Sequence, residues 1–219
     1  MIKTDYNFNE INILTKKILL ESDVNTIYQD KIEKFLLFLL NKNLEMNLIS
    51  RKLTLNEIIY DHFFDCLICW KYFKEYSSIT DLGSGGGLPG LLLSIIFPEK
   101  KFYLIEKSTK KAIFLKNAID YIDLKNVIII HGLVNEQKIQ SQIITCRAFK
   151  DINAILSFTK YFLDNGGIYI LYKGKRELIE NELLHAKRQF KIKAIIKKIS
   201  EIKTKERHIV IVKKLNYQL

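Results

Sequence analysis

The chain is poor in the residues that staple or interrupt a fold. It has three cysteines and two prolines among 219 residues. Cys66, Cys69 and Cys146 are an odd, unpaired set, which fits a reducing compartment. Cys66 and Cys69 have the C-x-x-C spacing, yet two further ligands at similar spacing are missing. The pair also lies inside the apolar helical run from His62 to Trp70. These thiols read as small buried apolar side chains, and no metal site is expected. Pro89 and Pro98 belong to no proline-rich linker, and no internal repeat or low-complexity block occurs. Long apolar runs are missing too. The longest, Phe35 to Leu40 and Leu91 to Phe97, fall far short of the ~20 residues of a membrane span. The start, Met1-Ile2-Lys3-Thr4-Asp5, has no apolar stretch behind a basic opening, so no signal peptide is expected. These shortages lead to the expectation of a soluble, cytoplasmic protein with no membrane partner.

Acidic residues are scarce, and unevenly so. Residues 1–75 carry ten Lys/Arg against eleven Asp/Glu, so nearly all of the net charge of +11 lies beyond them. A basic face of this size suits a polyanion such as RNA. Only five of the 35 basic residues are Arg, however, and Ile and Asn are abundant. Compositional bias accounts for such a charge equally well, so charge alone leaves both readings open.

What is present is a large apolar share, 48%, enough for one substantial core. Residues 8–22, 27–46 and 55–72 carry apolar residues at helical spacing, with Asn25-Thr26 as a start signal for the second. Residues 1–75 thus read as a helical extension, and 76–219 as a core of a different kind. From Ser78 short apolar runs alternate with helical segments. Strands are expected over 78–82, 101–105, 126–130, 142–146, 167–172, 191–198 and 207–213. Helices are expected over 89–97, 109–121, 153–163 and 177–189. This alternation predicts an α/β fold with a mainly parallel, seven-stranded sheet, the two halves forming one compact unit.

The strongest local signal is Asp81-Leu82-Gly83-Ser84-Gly85-Gly86-Gly87-Leu88-Pro89-Gly90, between a predicted strand and a predicted helix. Glycines permit a sharp turn and close approach of backbone to ligand. Two registers fit. Gly85, Gly87 and Gly90 satisfy G-x-G-x-x-G, the dinucleotide pattern. Asp81, Gly83, Gly85 and Gly87 satisfy acidic-x-G-x-G-x-G, which resembles the first motif of Rossmann-like methyltransferases. Glu106, 19 residues past Gly87 and at the end of the next strand, can accept hydrogen bonds from both hydroxyls of an adenosine ribose. That arrangement serves NAD and S-adenosylmethionine alike.

Several further segments narrow the choice: Asn47-Leu48-Ile49-Ser50, His62-Phe63-Phe64-Asp65, the stretch from Asp81 to Leu93 with Gly87-Leu88-Pro89-Gly90, Ile105 to Lys111, Cys146-Arg147-Ala148-Phe149, Lys173-Gly174 and Arg207-His208-Ile209-Val210. Together they resemble the ribosomal small-subunit methyltransferase G family, also called glucose-inhibited division protein B, over nearly the whole chain. The resemblance implies a Rossmann-like class I fold and S-adenosylmethionine as methyl donor. It implies methylation of N7 of one guanine in 16S ribosomal RNA, on free RNA or a small ribosomal particle, by a monomer. It also implies donor contacts at Gly83, Gly85 and Leu88, adenine contacts at Val134 and Asn135, and a further donor contact at Arg147. Glu106 stands where the family commonly has Asp, one methylene shorter. Asn135 stands where it commonly has a carboxylate, so an acceptor oxygen is kept and a charge is lost.

Guanine N7 offers its own lone pair, so that reaction calls for no general base. No nucleophilic or acid–base role is expected for Cys66, Cys69, Cys146, His62, His131, His185 or His208, and no catalytic residue is assigned. His62 and Asp65 share a helix face and either line the substrate mouth or form a structural pair. Lys110 and Lys111, with Lys107, flank the ribose site and are candidate phosphate contacts. Lys173 ends the fifth strand on the same edge, and Arg207 joins it if the last strand is antiparallel. Two alternatives remain at this point: an NAD-dependent oxidoreductase using the Gly85 register, and a non-catalytic RNA-binding module on a methyltransferase fold.

Overall fold

A computed structural model describes residues 7–202 and 205–215, so the first six residues of the helical extension and the last four of the core lie outside it. Helix α1, Phe8–Glu21, begins where the Asn7 side chain accepts from the Asn9 N–H, and it buries Ile11, Thr15, Ile18 and Leu19. That spacing is one helical stripe. A 3₁₀ turn, Thr26–Tyr28, is capped by Asn25 and leads into α2, Gln29–Asn43, which buries Ile32, Phe35, Leu36, Leu39 and Leu40.

Helix α3, Leu55–Ile58, opens with a reciprocal Thr54–Glu57 capping box and runs into a π-helical stretch, Ile59–Phe64. Helix α4, Asp65–Leu67, follows. The single helix expected over 55–72 therefore ends early, and Trp70–Phe73 is a separate 3₁₀ turn. The segment is buried on every side, including Ile58, Ile59, Phe63, Phe64, Cys66 and Leu67. With no polar face to set the phase, periodicity cannot show the wider turn.

The sheet comprises β1 (Ser78–Leu82), β2 (Lys101–Glu106), β3 (Val127–His131), β4 (Ile143–Arg147), β5 (Ile168–Lys173), β6 (Ile192–Ile202) and β7 (Lys205–Lys214). Their spatial order is β3-β2-β1-β4-β5-β7-β6. Strands β1 to β5 pair in parallel, whereas β7 is antiparallel to both β5 and β6. Helices α5 (Gly90–Ile96), α6 (Thr109–Ile122), α7 (Ile152–Phe158), α8 (Lys160–Asp164) and α9 (Arg176–Gln189) connect them. The helix expected over 153–163 is two. It breaks at Thr159, whose hydroxyl donates to the Ile155 carbonyl and also bonds the Tyr169 hydroxyl. This side-chain bonding competes with continued helix.

Two apolar clusters cover the two faces of the sheet. One joins the extension (Ile18, Phe35, Phe63) to Leu92 and Phe114 of α5 and α6 and to Ile79, Phe102, Leu104 and Ile143 of the strands. The other joins Ile155, Leu156, Ile179 and Leu183 of α7 and α9 to Ile144, Leu171 and Val210. The extension is thus half of one helical layer. It is also tied at its end: the buried Lys100 ammonium donates to the carbonyls of Phe73 at 2.9 Å and Tyr76 at 2.7 Å, and to that of Lys74. We expect Lys100→Met to orphan these carbonyls and to lower unfolding free energy by about 3 kcal/mol, measured by urea titration.

Candidate active site

In a sheet of this order β1 is the switch point, and the crevice for ligands lies beyond the carboxyl ends of the strands beside it. The glycine turn occupies that place. Gly83, Gly85 and Gly87 have φ of +66°, +52° and +85°, a region where side chains are disfavoured. The Gly83 and Ser84 N–H groups both donate to the Ile105 carbonyl. The Gly85 N–H donates to Glu106 Oε2 at 2.9 Å, and the Ser108 N–H donates to Oε1 at 2.8 Å. Each carboxylate oxygen so engaged keeps a second acceptor position. Gly90 is fixed by contact: a Cβ there would stand 2.6 Å from Asp81 Oδ2 and 2.5 Å from Leu104 Cδ2. Its N–H donates to that same Asp81 oxygen at 3.1 Å. Asp81 Oδ1 has no partner among the described residues. Burial pushes the Asp81 carboxyl up to about 7, against the opposing pull of the Gly90 N–H and the Arg147 charge.

The other predicted donor contacts line up along this edge. Val134 is buried and Asn135 exposed, on a 3₁₀ turn just past β3. The intervening Gly132 N–H donates to the Glu106 carbonyl, which sets this turn beside Glu106. Leu88 is buried behind the glycines, and Pro89 stands at the N-cap of α5. Lys107 and Lys110 are exposed and Lys111 half-buried at the start of α6.

Arg147 points elsewhere. Its Nη1 donates to the Asp61 carbonyl at 2.9 Å, and its Nη2 bonds His62 Nδ1, so it bridges β4 to the π-helical stretch. A cavity of about 470 Å³ opens there, lined by Arg147, Phe149, His62, Asp65, Tyr172 and Arg207 among others. It lies beyond β4, β5 and β7, beside the glycine turn. Because β7 is antiparallel, Arg207 does reach this edge, with Lys173 opposite His208. Arg207 Nε donates to Asp65 Oδ2. His62 and Asp65 both line the cavity, and each holds an arginine. Lys173 lines the cavity, but its ammonium is committed to Glu182 at 2.7 Å and to the Lys150 carbonyl. It is not a free cation on the edge. His208 Nδ1 donates to the Gly174 carbonyl at 2.7 Å.

Three participants are given no role by the sequence. Asp61 contributes a carbonyl, which the widened turn presents to Arg147. Phe149 packs its ring on Gly83, where a Cβ would sit 2.5 Å from it, and so separates turn from cavity. Tyr172 lines the cavity wall and donates its hydroxyl to the Cys66 carbonyl. Positive φ at Ala148, +52°, sets the direction of Phe149 and is the kind of backbone strain that collects at functional sites. The thiols are buried, and desolvation pushes Cys66 and Cys146 up to about 12 and Cys69 well above its usual value. None is a thiolate near neutrality.

Asp81 yields a pH test. Its folded value near 7 exceeds the ordinary 3.8, so the folded state holds a proton that the unfolded chain releases. Stability from this source is present below pH 4 and declines as pH rises to 7. Asp81→Asn removes the titration. We expect the wild type to lose about 4 kcal/mol relative to the variant over that window, by denaturant unfolding at a series of pH values.

A family model described as rRNA small subunit methyltransferase G matches residues 28–210. The chain is 40% identical over 197 residues to the ribosomal RNA small subunit methyltransferase G of Brachyspira hyodysenteriae, covering 87% of this chain and 95% of that one. It is 35% identical over 200 residues to ribosomal RNA small subunit methyltransferase G 1 of Bdellovibrio bacteriovorus, covering 90% and 96%. Among solved structures, an O-methyltransferase from Bacillus cereus in complex with SAH aligns with a TM-score of 0.55 at 16% identity, over 82% of this chain and 90% of that one. An S-adenosylmethionine-dependent O-methyltransferase from Thermotoga maritima aligns at 0.54 and 14%, over 83% and 73%. These two likenesses are of fold.

Proposed function

The chain belongs to the rRNA small subunit methyltransferase G family, and from that premise we propose that it methylates N7 of one guanine in small-subunit 16S ribosomal RNA, with S-adenosylmethionine as donor. The observation that carries the reading is the match over residues 28–210, laid on a glycine turn whose Gly85 N–H is bonded to Glu106. That membership leaves the oxidoreductase reading of the Gly85 register without support. The enzyme is taken to act as a monomer in the cytoplasm, on free RNA or on a small ribosomal particle. No helix among the described residues is long and apolar enough to cross a membrane.

The residues fit the donor. Glu106 has acceptor positions left for the two ribose hydroxyls. Gly83 and Gly85 give the amino-acid end a surface without side chains, with the buried Leu88 supporting it. Val134 offers an apolar wall, and Asn135 an acceptor, for the adenine. When bound, the donor supplies an activated methyl on a sulfonium. The chain's own task is then placement, since N7 needs no base. Phe149 packs on Gly83 at the border of turn and cavity, where the methyl and N7 would meet past its ring, and Arg147 lines the cavity beside it. Arg147 is held from two sides and cannot drift. No thiol or imidazole is assigned a proton or a covalent step.

The deciding experiment is transfer from labelled S-adenosylmethionine to small-subunit particles and to ribosomal RNA from a strain lacking the protein. We expect a single 7-methylguanosine by mass spectrometry; no transfer despite donor binding would overturn the proposal. Glu106→Ala should weaken donor binding roughly 30- to 100-fold by calorimetry, as loss of hydrogen bonds to a charged group implies. Alanine at Lys110 and Lys111 should weaken RNA binding and make its salt dependence shallower, by about 1 to 2 in the slope of log K against log salt. An unchanged slope would remove both lysines from the RNA face.

A further inference from the structure

Asp65 is a buried carboxylate with only half of its bonding accounted for. It is 3% exposed and lines the cavity. Oδ2 takes the Arg207 guanidinium, while Oδ1 has no partner among the described residues. A buried acceptor left without a donor is costly, and the cavity, mostly apolar with a few polar groups, is of a size to take a base. The surroundings suit one: Phe149 and Tyr172 are aromatic walls, and Arg147 and Arg207 are cations at its rim. A base drawn out of an RNA stack is commonly held by aromatic faces and read on its Watson–Crick edge.

The geometry of guanine then fixes which edge goes where. N7 must face the methyl, hence the glycine turn and Phe149. The N1–H and exocyclic amine lie on the opposite side of the purine and so point away from the turn. In the order β1-β4-β5-β7, strands about 4.8 Å apart put the start of β7 roughly 14 Å from β1. Asp65 is bonded to Arg207 at that far side. Building on the proposed function, we infer that Asp65 is the specificity-determining residue for the target base, with Oδ1 accepting a hydrogen bond from the exocyclic amine of guanine. Adenine has no amine on that carbon and turns the N1 lone pair toward the carboxylate, so it is repelled. Arg207 holds Asp65 in place through Oδ2 and keeps Oδ1 turned to the base.

The test compares guanosine with inosine, which lacks only the exocyclic amine, at the target position of reconstituted small-subunit RNA. Wild-type enzyme should lose about 10- to 100-fold in kcat/KM on inosine, the range for a hydrogen bond to a charged acceptor. In Asp65→Asn the amide oxygen must serve Arg207, so an N–H₂ faces the amine of guanine. This variant should be slow on guanosine and show less than about threefold further loss on inosine, with donor affinity unchanged. Should the amide variant lose donor binding, Asp65→Ser repeats the comparison. A wild type that accepts inosine at full rate overturns the inference, as does a variant that keeps the whole inosine penalty. A wild type inactive on guanosine RNA would instead overturn the proposed function.

Discussion

Arg147 joins the two parts of the site. It leaves β4 at the carboxyl edge of the sheet and grips the Asp61 carbonyl and the His62 ring in the extension. A fixed, always-charged guanidinium donates in a rigid fork, so this contact sets both the distance and the angle between sheet and helices. The cavity exists because of it, since one wall is β4 and another is the π-helical stretch. The packing beneath gives the same result: Phe35, Phe63, Leu92 and Ile143 share one apolar cluster. The extension therefore supplies a wall of the cavity as well as a cover for the sheet.

Two of the cations that line the cavity are paired with carboxylates. Arg207 answers Asp65, and Lys173 answers Glu182. Burial raises the Asp65 carboxyl while Arg207 and Arg147 pull it down, so the arginines offset part of the desolvation. This differs from a basic strip meant only for phosphate. Exposed lysines stand outside the cavity as well, at Lys107 and Lys110 on the far side of the glycine turn. Such a division suits an enzyme that must hold a backbone at its rim and one base within.

The sequence exposed the donor side more fully than the acceptor side, for a physical reason. A glycine turn and a carboxylate at a strand end are local, each set by a few neighbouring residues. Gly83 to Gly90 and Glu106 could thus be read from spacing. The alternation of strands and helices gives seven strands in a mainly parallel sheet and leaves open the direction of the last strand, which is set by its pairing with β5 and β6. The acceptor side is made of contacts between distant segments, such as Arg207 to Asp65 over 142 positions. No periodicity encodes those. His62 and Asp65 share a face, which leaves open a place at the substrate mouth or a pair, and only the fold shows each holding an arginine. Lys173 looked free because Glu182 lies on another element. The break at Thr159 came from a hydroxyl bonding across to Tyr169, again a tertiary effect on a local pattern.

The π-helical stretch Ile59–Phe64 has a meaning in terms of rotational phase. An α-helix advances each side chain by about 100°, and a π turn takes in one residue more before closing. The stretch is in effect a one-residue spacer that turns everything after it by that angle. Asp65 lies after the spacer and His62 within it. Deleting a single residue there would turn Asp65 away from Arg207 and rotate the buried side chains that follow it by the same angle. Segment length at this point is therefore as much a part of the pocket as residue identity.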